Sequence, residues 1–169
     1  MKHLKIILVF LTLSINVNAQ YAMKIKHDAE EIAKAVVSND FKTVVKYTHP
    51  IVIRMVGGPD KMIALMNKGL ETMKAQGAAI TGSEIGEPGK ILNTKTALYS
   101  VVPQKVTMTS NGTKFYSTSS LLAISSNNGA SWYFVDAGNI TDAQIKQIFP
   151  EIYGKLTIPK RSEPVVIGQ

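Results

Sequence analysis

The sequence predicts a single α+β domain in which three helices come first and an antiparallel sheet follows, and three observations carry that prediction. Apolar residues recur at helical spacing as far as Gly77, and beyond it the period becomes two. The period-two half is punctuated by Asn111-Gly112 and Asn128-Gly129, a dipeptide suited to turns in which both central residues take positive φ. At 169 residues and 45% hydrophobic, the chain can build one proper core and is short for two.

The first residues have their own logic. Met1-Lys2-His3-Leu4-Lys5 is basic, Ile6 to Leu13 is apolar, and Val17-Asn18-Ala19 supplies small or aliphatic residues before a cut. This is the pattern of a secretory signal peptide over 1–19, cleaved after Ala19. Ser14 and Asn16 break the apolar run well short of the roughly 20 residues a span requires, so no transmembrane anchor is expected after cleavage. The chain has no cysteine, which excludes a lipid-attachment cysteine, a disulfide framework, a thiol nucleophile and a thiolate metal site. The expectation is an exported protein of the periplasm or the extracellular space. Loss of Lys2 and Lys5 with the leader lowers the net charge from +7 to +5. The remaining lysines are scattered and aromatics are only 7%, a composition that argues against a nucleic-acid surface and for a solvated lysine face. Weak attraction to an anionic cell surface or glycan is the other reading of that charge.

From about Ala22 to Ser38 a first helix is expected, with Ile25, Ala29, Ile32 and Val36 on one stripe and Asn39 as its stop. Asp40 is placed to cap a second helix carrying Phe41, Val44, Val45 and Thr48 inward, and Pro50 ends it because His49 is pushed out of helical geometry. Ile51 to Val56 reads as a short strand. Gly57-Gly58-Pro59-Asp60 then opens a third helix whose apolar face is Met62, Ile63, Leu65, Met66, Leu70 and Met73. Methionine at that spacing is read as core filler rather than a groove.

The sheet follows as Ala79 to Glu87, Thr96 to Thr109, Thr113 to Ser125 and Ser131 to Asp136, with a bend or exposure at Pro103, which cannot donate to a ladder. Thr141 to Phe149 reads as a short helix capped by Thr141 and stopped by Pro150. The domain is thus expected over 20–157, with a loose, flexible tail over 158–169.

This order of elements resembles the nuclear transport factor 2-like superfamily, the cystatin-like α+β cone that includes SnoaL-like proteins. Locally the resemblance rests on Asn39-Asp40-Phe41, His49-Pro50 and Trp132-Tyr-Phe-Val-Asp136, and it spans about Ala22 to Phe149. The Tyr-Thr-His-Pro, Gly-Gly, Gly-Glu-Pro-Gly and Phe-Val-Asp-Ala-Gly segments are similar to an uncharacterised exported bacterial branch of it. The resemblance implies a strongly curved sheet wrapped over the helices and enclosing a conical pocket, with a homodimer through the open sheet face as an allowed assembly. Members include isomerase-, cyclase- and dehydratase-type enzymes and many binding domains, so fold alone does not choose between activity and binding.

The residues that bear on that choice are few. His49 sits where the second helix stops and titrates near neutrality, which suits a general base, or a ring that bonds backbone to hold the corner. Asp136 alternates onto the face of Trp132 and Phe134, where desolvation raises a carboxyl pKa; alternatively it belongs to the turn Asp-Ala-Gly-Asn and caps backbone N–H groups. Arg54, in an apolar stretch, would meet a ligand carboxylate or pair with Asp136. Tyr47, Tyr99 and Tyr116 offer hydroxyls to a pocket, or serve as core with a wet tip.

Other patterns fail. Gly82-x-x-x-Gly86-x-x-Gly89-Lys90 has Glu84 at the required first glycine and Ile91 after the lysine, so it is no phosphate loop. After cleavage only His27 and His49 remain, without a closely spaced ligand pair, and no Gly-x-Ser-x-Gly elbow exists, so neither metal nor cofactor is expected. Asn111-Gly-Thr113 and Asn139-Ile-Thr141 match glycosylation acceptors, but turn chemistry explains both asparagines.

The resulting expectation is an exported, non-catalytic binding domain that holds a small, mostly apolar ligand or a partner segment in its cone, with Tyr47, His49, Arg54, Tyr99, Trp132 and Asp136 at the site. The alternative is a small lyase, isomerase or cyclase using His49 or Asp136 as base.

Overall fold

A computed structural model describes residues 17–168. The signal-peptide reading falls on residues 1–16, outside the described residues, and on Val17 to Ala19, which open the first helix.

Helix α1 (Val17–Ser38) is followed by α2 (Phe41–Tyr47), α3 (Pro50–Met55) and α4 (Pro59–Ala75). Strands β1 (Ala78–Ile85), β2 (Leu92–Asn93), β3 (Leu98–Ser110), β4 (Thr113–Ser125) and β5 (Tyr133–Asp136) come next, then helix α5 (Asp142–Ile148) and strand β6 (Val165–Val166). The strands form a curled antiparallel half-barrel in the order β1-β3-β4-β5, with β2 added to β3 and β6 to β4. The architecture is therefore α+β, with N-terminal helices packed on a curled antiparallel sheet.

The helix boundaries follow from their terminal chemistry. Asn39 takes φ 59° and closes α1 with paired bonds, its own N–H donating to Val36 O at 3.2 Å and that of Asp40 to Ala35 O at 2.8 Å. This is the closure a left-handed residue makes possible. Asp40 then starts α2, its carboxylate accepting from Thr43 N at 3.2 Å. Thr141 and Gln144 exchange bonds as a capping box at the start of α5. Asn111-Gly112 joins β3 to β4 with both residues at positive φ, 47° and 81°, as the dipeptide requires.

Two cores lie on opposite faces of the sheet. Ile25, Ala29 and Ile32 of α1 pack on Leu98, Val102, Leu121, Ala123, Trp132 and Phe134. On the other face Tyr99, Leu122, Ile124 and Val135 meet Ile145, Phe149 and Ile152. Successive side chains of a strand alternate between faces, so Leu121-Leu-Ala-Ile124 is buried throughout because both sides are covered.

The structure corrects the sequence reading in two places. Ile51 to Val56 is no strand: Pro50 to Met55 is a helix, with Pro50 in its first turn and His49 as its N-cap. A proline that ends one helix is equally suited to begin another, and the β-branched run is overridden because Ile51 and Val52 pack against the second core. The C-terminal segment expected as a loose tail is laid along β4. Val165 and Val166 pair with Tyr116 and Phe115, and the N–H groups of Arg161, Ser162 and Ile167 donate to Gly138, Thr118 and Lys114. Short β5 reaches only Leu121 to Ile124, so the earlier half of β4 keeps an open edge, which this segment covers.

Pro103 lies within β3, exposed, and its carbonyl accepts from Gly86 N at 2.8 Å just beyond the end of β1. Its missing N–H points to the same side as that carbonyl, where β1 has already left the ladder, so no bond to β4 is lost.

Candidate functional site

The pivot of the site region is the stretch from Asp40 to Arg54, which is stitched to the outer edge of β5. Thr48 forms a parallel bridge with Phe134, and His49 N donates to Phe134 O at 2.9 Å. This contact closes the free edge of the sheet and fixes Tyr47 and His49 beside the Trp132 segment.

The residues expected at one site are distributed over several places. Tyr47 and Trp132 come together, lining a cleft of about 190 Å³ with Lys24, Asp28, Ser131 and Tyr133 among its walls. Lys46 also borders this cleft, its ammonium 5.1 Å from the Tyr47 ring centroid. Trp132 is 1% exposed and packs edge-on to Tyr21 with ring centroids 6.0 Å apart.

His49 faces elsewhere. Its Nδ1 accepts from Ile51 N at 3.3 Å, and its ring stands edge-on to Tyr133 and Phe149 at 6.4 and 5.8 Å. Acting as that acceptor requires a neutral ring protonated at Nε2. Burial, and secondarily the positive charge of Arg54, hold its pKa below the ordinary 6.5. His49 thus secures the corner by bonding backbone, although the corner joins two helices rather than a helix and a strand.

Tyr99 belongs to the second core at 3% exposure and donates its hydroxyl to Glu151 Oε1. Burial, reinforced by that bond, raises its pKa, while the same bond lowers the pKa of Glu151. Arg54 is exposed on α3 and does not meet Asp136. Asp136 alternates onto the Phe134 face as expected, but it is the last residue of β5 and its side chain is 52% exposed rather than desolvated between aromatics. It accepts from Arg161 Nη2 at 2.7 Å, Ser119 Oγ at 3.2 Å and Gly138 N at 3.1 Å. The turn-capping role is the one the geometry realises. Tyr116 borders the C-terminal segment through its pairing with Val165.

Two features escaped the sequence reading. Asp28 is 5% exposed, its carboxylate held by Lys24 at 3.1 Å. It falls three residues after Ile25 and four before Ile32, inside the apolar stripe of α1, and a charge in that position is the signal that points to it. The second is a cleft of about 300 Å³ between α4, α2 and β1, walled mainly by Val36, Phe41, Met66, Leu70, Met73 and Ile80. The methionine stripe taken as core filler forms one of its walls, and α4 buries none of its residues fully. Among the described residues no cluster of three or more acidic, histidine or cysteine side chains gathers as metal ligands would.

Comparison with known proteins returns no match: no family model, no curated protein and no solved structure matches the chain.

Proposed function

We propose that the protein is a non-catalytic binding domain that holds a small, mostly apolar ligand in the cleft between α2, α4 and β1. The observation that carries this reading is α4. Its apolar face of Met62, Ile63, Met66, Leu70 and Met73 is only half-covered, and it stands across an open cleft from Val36, Phe41 and Ile80. An apolar concavity with flexible methionine in its wall adapts to ligands of varied shape. The conical pocket implied by the superfamily resemblance enters the proposal in this form, and export enters it through the leader-like first 19 residues.

The catalytic alternative draws less support. His49 is committed to a helix start, and Asp136 is committed to Arg161 and a turn. Neither shares a partner with the other, and an acid–base pair works through a common reacting group.

Titration with N-phenyl-1-naphthylamine, a neutral apolar fluorophore, tests the proposal. Saturable one-to-one binding is expected, lost in Met66→Lys while the far-ultraviolet circular dichroism is kept. No saturable binding, or equal binding to Met66→Lys, would contradict it.

A further inference from the structure

The fold covers its sheet edges in two places and leaves a third open. Thr48 and His49 close the outer side of β5, and the C-terminal segment closes the earlier half of β4. β1 pairs only with β3, and α4 stands across a cleft from its first residues, Ala78 to Ile80. Past the bulge at Thr81, no strand lies along the outer side of Gly82 to Ile85. The ladder decides which backbone groups that side presents. Gly86 N donates to Pro103 O at 2.8 Å, so theirs is a bonded pair; bonded and unbonded pairs alternate, and Ser83 and Ile85 therefore turn N–H and C=O away from β3. No backbone group of the described residues bonds them there. Such an edge is a template for one more strand, and β1 carries neither the proline nor the lysine that would blunt it.

Beside this edge runs a groove of about 750 Å³. Helix α1 is seated on β3, β4 and β5 through Ile25, Ala29 and Ile32, and its later turns stand off from β1, with Ala33 and Val37 in one wall and Ser83 and Ile85 in the other. Ile85 packs against the α1-side core, and residues two apart share a face, so Ser83 and Ile85 both face α1. The residues of an added strand that lie opposite them would send their side chains to the same face, into the groove. The lysines nearby are engaged: Lys26 with Glu87, Lys34 with Glu31 and Lys105 with Glu84. Glu30 also borders the groove, and among the described residues it forms no salt bridge. Because Lys26 reaches Glu87, just past Ile85, Glu30 one turn further along α1 stands toward the Ile85 end and Val37 toward Gly82.

We infer that β1 accepts an extended peptide segment as an added strand, one that carries a basic residue and an apolar residue two places apart. Its main chain exchanges hydrogen bonds with Ser83 and Ile85, its apolar side chain lies on Ala33 and Val37, and its basic side chain answers Glu30. The main-chain bonds supply affinity, and the two side chains supply selection. A second copy of β1 does not meet this demand, because Ala78 to Ile85 contains no basic residue. The edge is separate from the apolar cleft beside α4, so the inference stands whether or not that cleft binds a ligand.

The experiment is a heteronuclear NMR titration of the protein with acetyl-Thr-Lys-Thr-Val-Thr-amide and two companions, one with glutamate in place of lysine and one N-methylated at valine. Saturable shifts are expected at the amides of Ser83 and Ile85 and along α1 from Glu30 to Val37. The valine N–H faces β1 in this pairing, so its methylation is expected to weaken binding at least about tenfold, and the glutamate peptide to bind at least about threefold more weakly than the lysine peptide. Glu30→Gln is expected to bring the lysine and glutamate peptides to nearly equal affinity, whereas Met66→Lys leaves the titration unchanged. No saturable shift at about 1 mM peptide, full affinity for the N-methylated peptide, or equal affinity of the unaltered protein for lysine and glutamate peptides would each overturn the inference. So would Ser83 and Ile85 amides whose protection from exchange, without peptide, rises with protein concentration, since a second copy would then occupy the edge.

Discussion

Helix α1 buries Ile25 and Ala29 completely and Asp28, Ile32, Ala33 and Ala35 nearly so, whereas α4, a helix of 17 residues, buries none fully. Both are amphipathic, and both contact β1 of the sheet. The difference lies in what forms the stripe. In α1 three of the buried positions are alanine, so the helix axis can approach the strands and Ile25 and Ile32 insert between Val102, Leu121 and Trp132. The stripe of α4 is methionine and leucine, long side chains that stand above a gap instead of closing it. Helical periodicity identifies which side of a helix is apolar; side-chain size decides how closely that side is covered.

The largest expected effect breaks the tightly seated member. Ile25→Ala removes a side chain at 0% exposure and is expected to destabilise the fold by about 2–5 kcal/mol in urea denaturation. A loss below about 1 kcal/mol would mean that α1 is no better seated than α4. Gly129→Ala tests the same seat from the side. Gly129 takes φ 82°, and a Cβ there would stand 2.2 Å from a ring carbon of Tyr21 on α1. Left-handed strain and displacement of that ring together predict a loss of about 2 kcal/mol or more.

A third test separates the two helices by pH. Ile25, Ala29 and Ile32 make the apolar part of the α1 contact, while the corner that leads through α3 into α4 depends on a neutral His49. Because the folded-state pKa of His49 lies below the ordinary 6.5, the unfolded chain takes up the proton first. Stability is therefore full above that ordinary value and declines as pH falls through it. His49→Asn, which retains a short acceptor at the cap without the titration, is expected to flatten this part of the stability profile. A profile unchanged by the substitution would remove His49 from the corner's energetics. The smallest effect belongs to Leu70→Ala on α4, expected at about 1 kcal/mol or less because the side chain is only half-buried, yet accompanied by weaker binding of the apolar fluorophore.

Legibility in the sequence followed the strength of local chemistry. Asn39, Asp40, Gly77, Asn111-Gly112 and Thr141 each impose a backbone conformation or supply a cap, and the elements they bound are found where those residues put them. The segment from Ile51 to Met55 was misread because its β-branched residues favour strand, whereas its helix depends on Pro50, the His49 cap and burial against a core assembled from distant residues. The covering of β4 by the C-terminal segment was hidden for a related reason: it depends on β5 being too short, a property of the sheet and not of Val165 and Val166. Of the expected site residues, Tyr47 and Trp132 meet in one cleft. Asp136 diverges because β5 ends there, and Tyr99 because alternation sends it to the other face. Asp28 was visible as a charge within an apolar stripe.

Native-state hydrogen exchange of the full domain, with and without N-phenyl-1-naphthylamine, tests most directly the claim that α4 is a half-covered wall awaiting a ligand. The account predicts that α1 amides exchange only through global unfolding, that α4 amides exchange through a much smaller opening, and that the fluorophore slows α4 while leaving α1 unchanged. Equal protection of α1 and α4 in the free protein, with no change on adding the fluorophore, would contradict it.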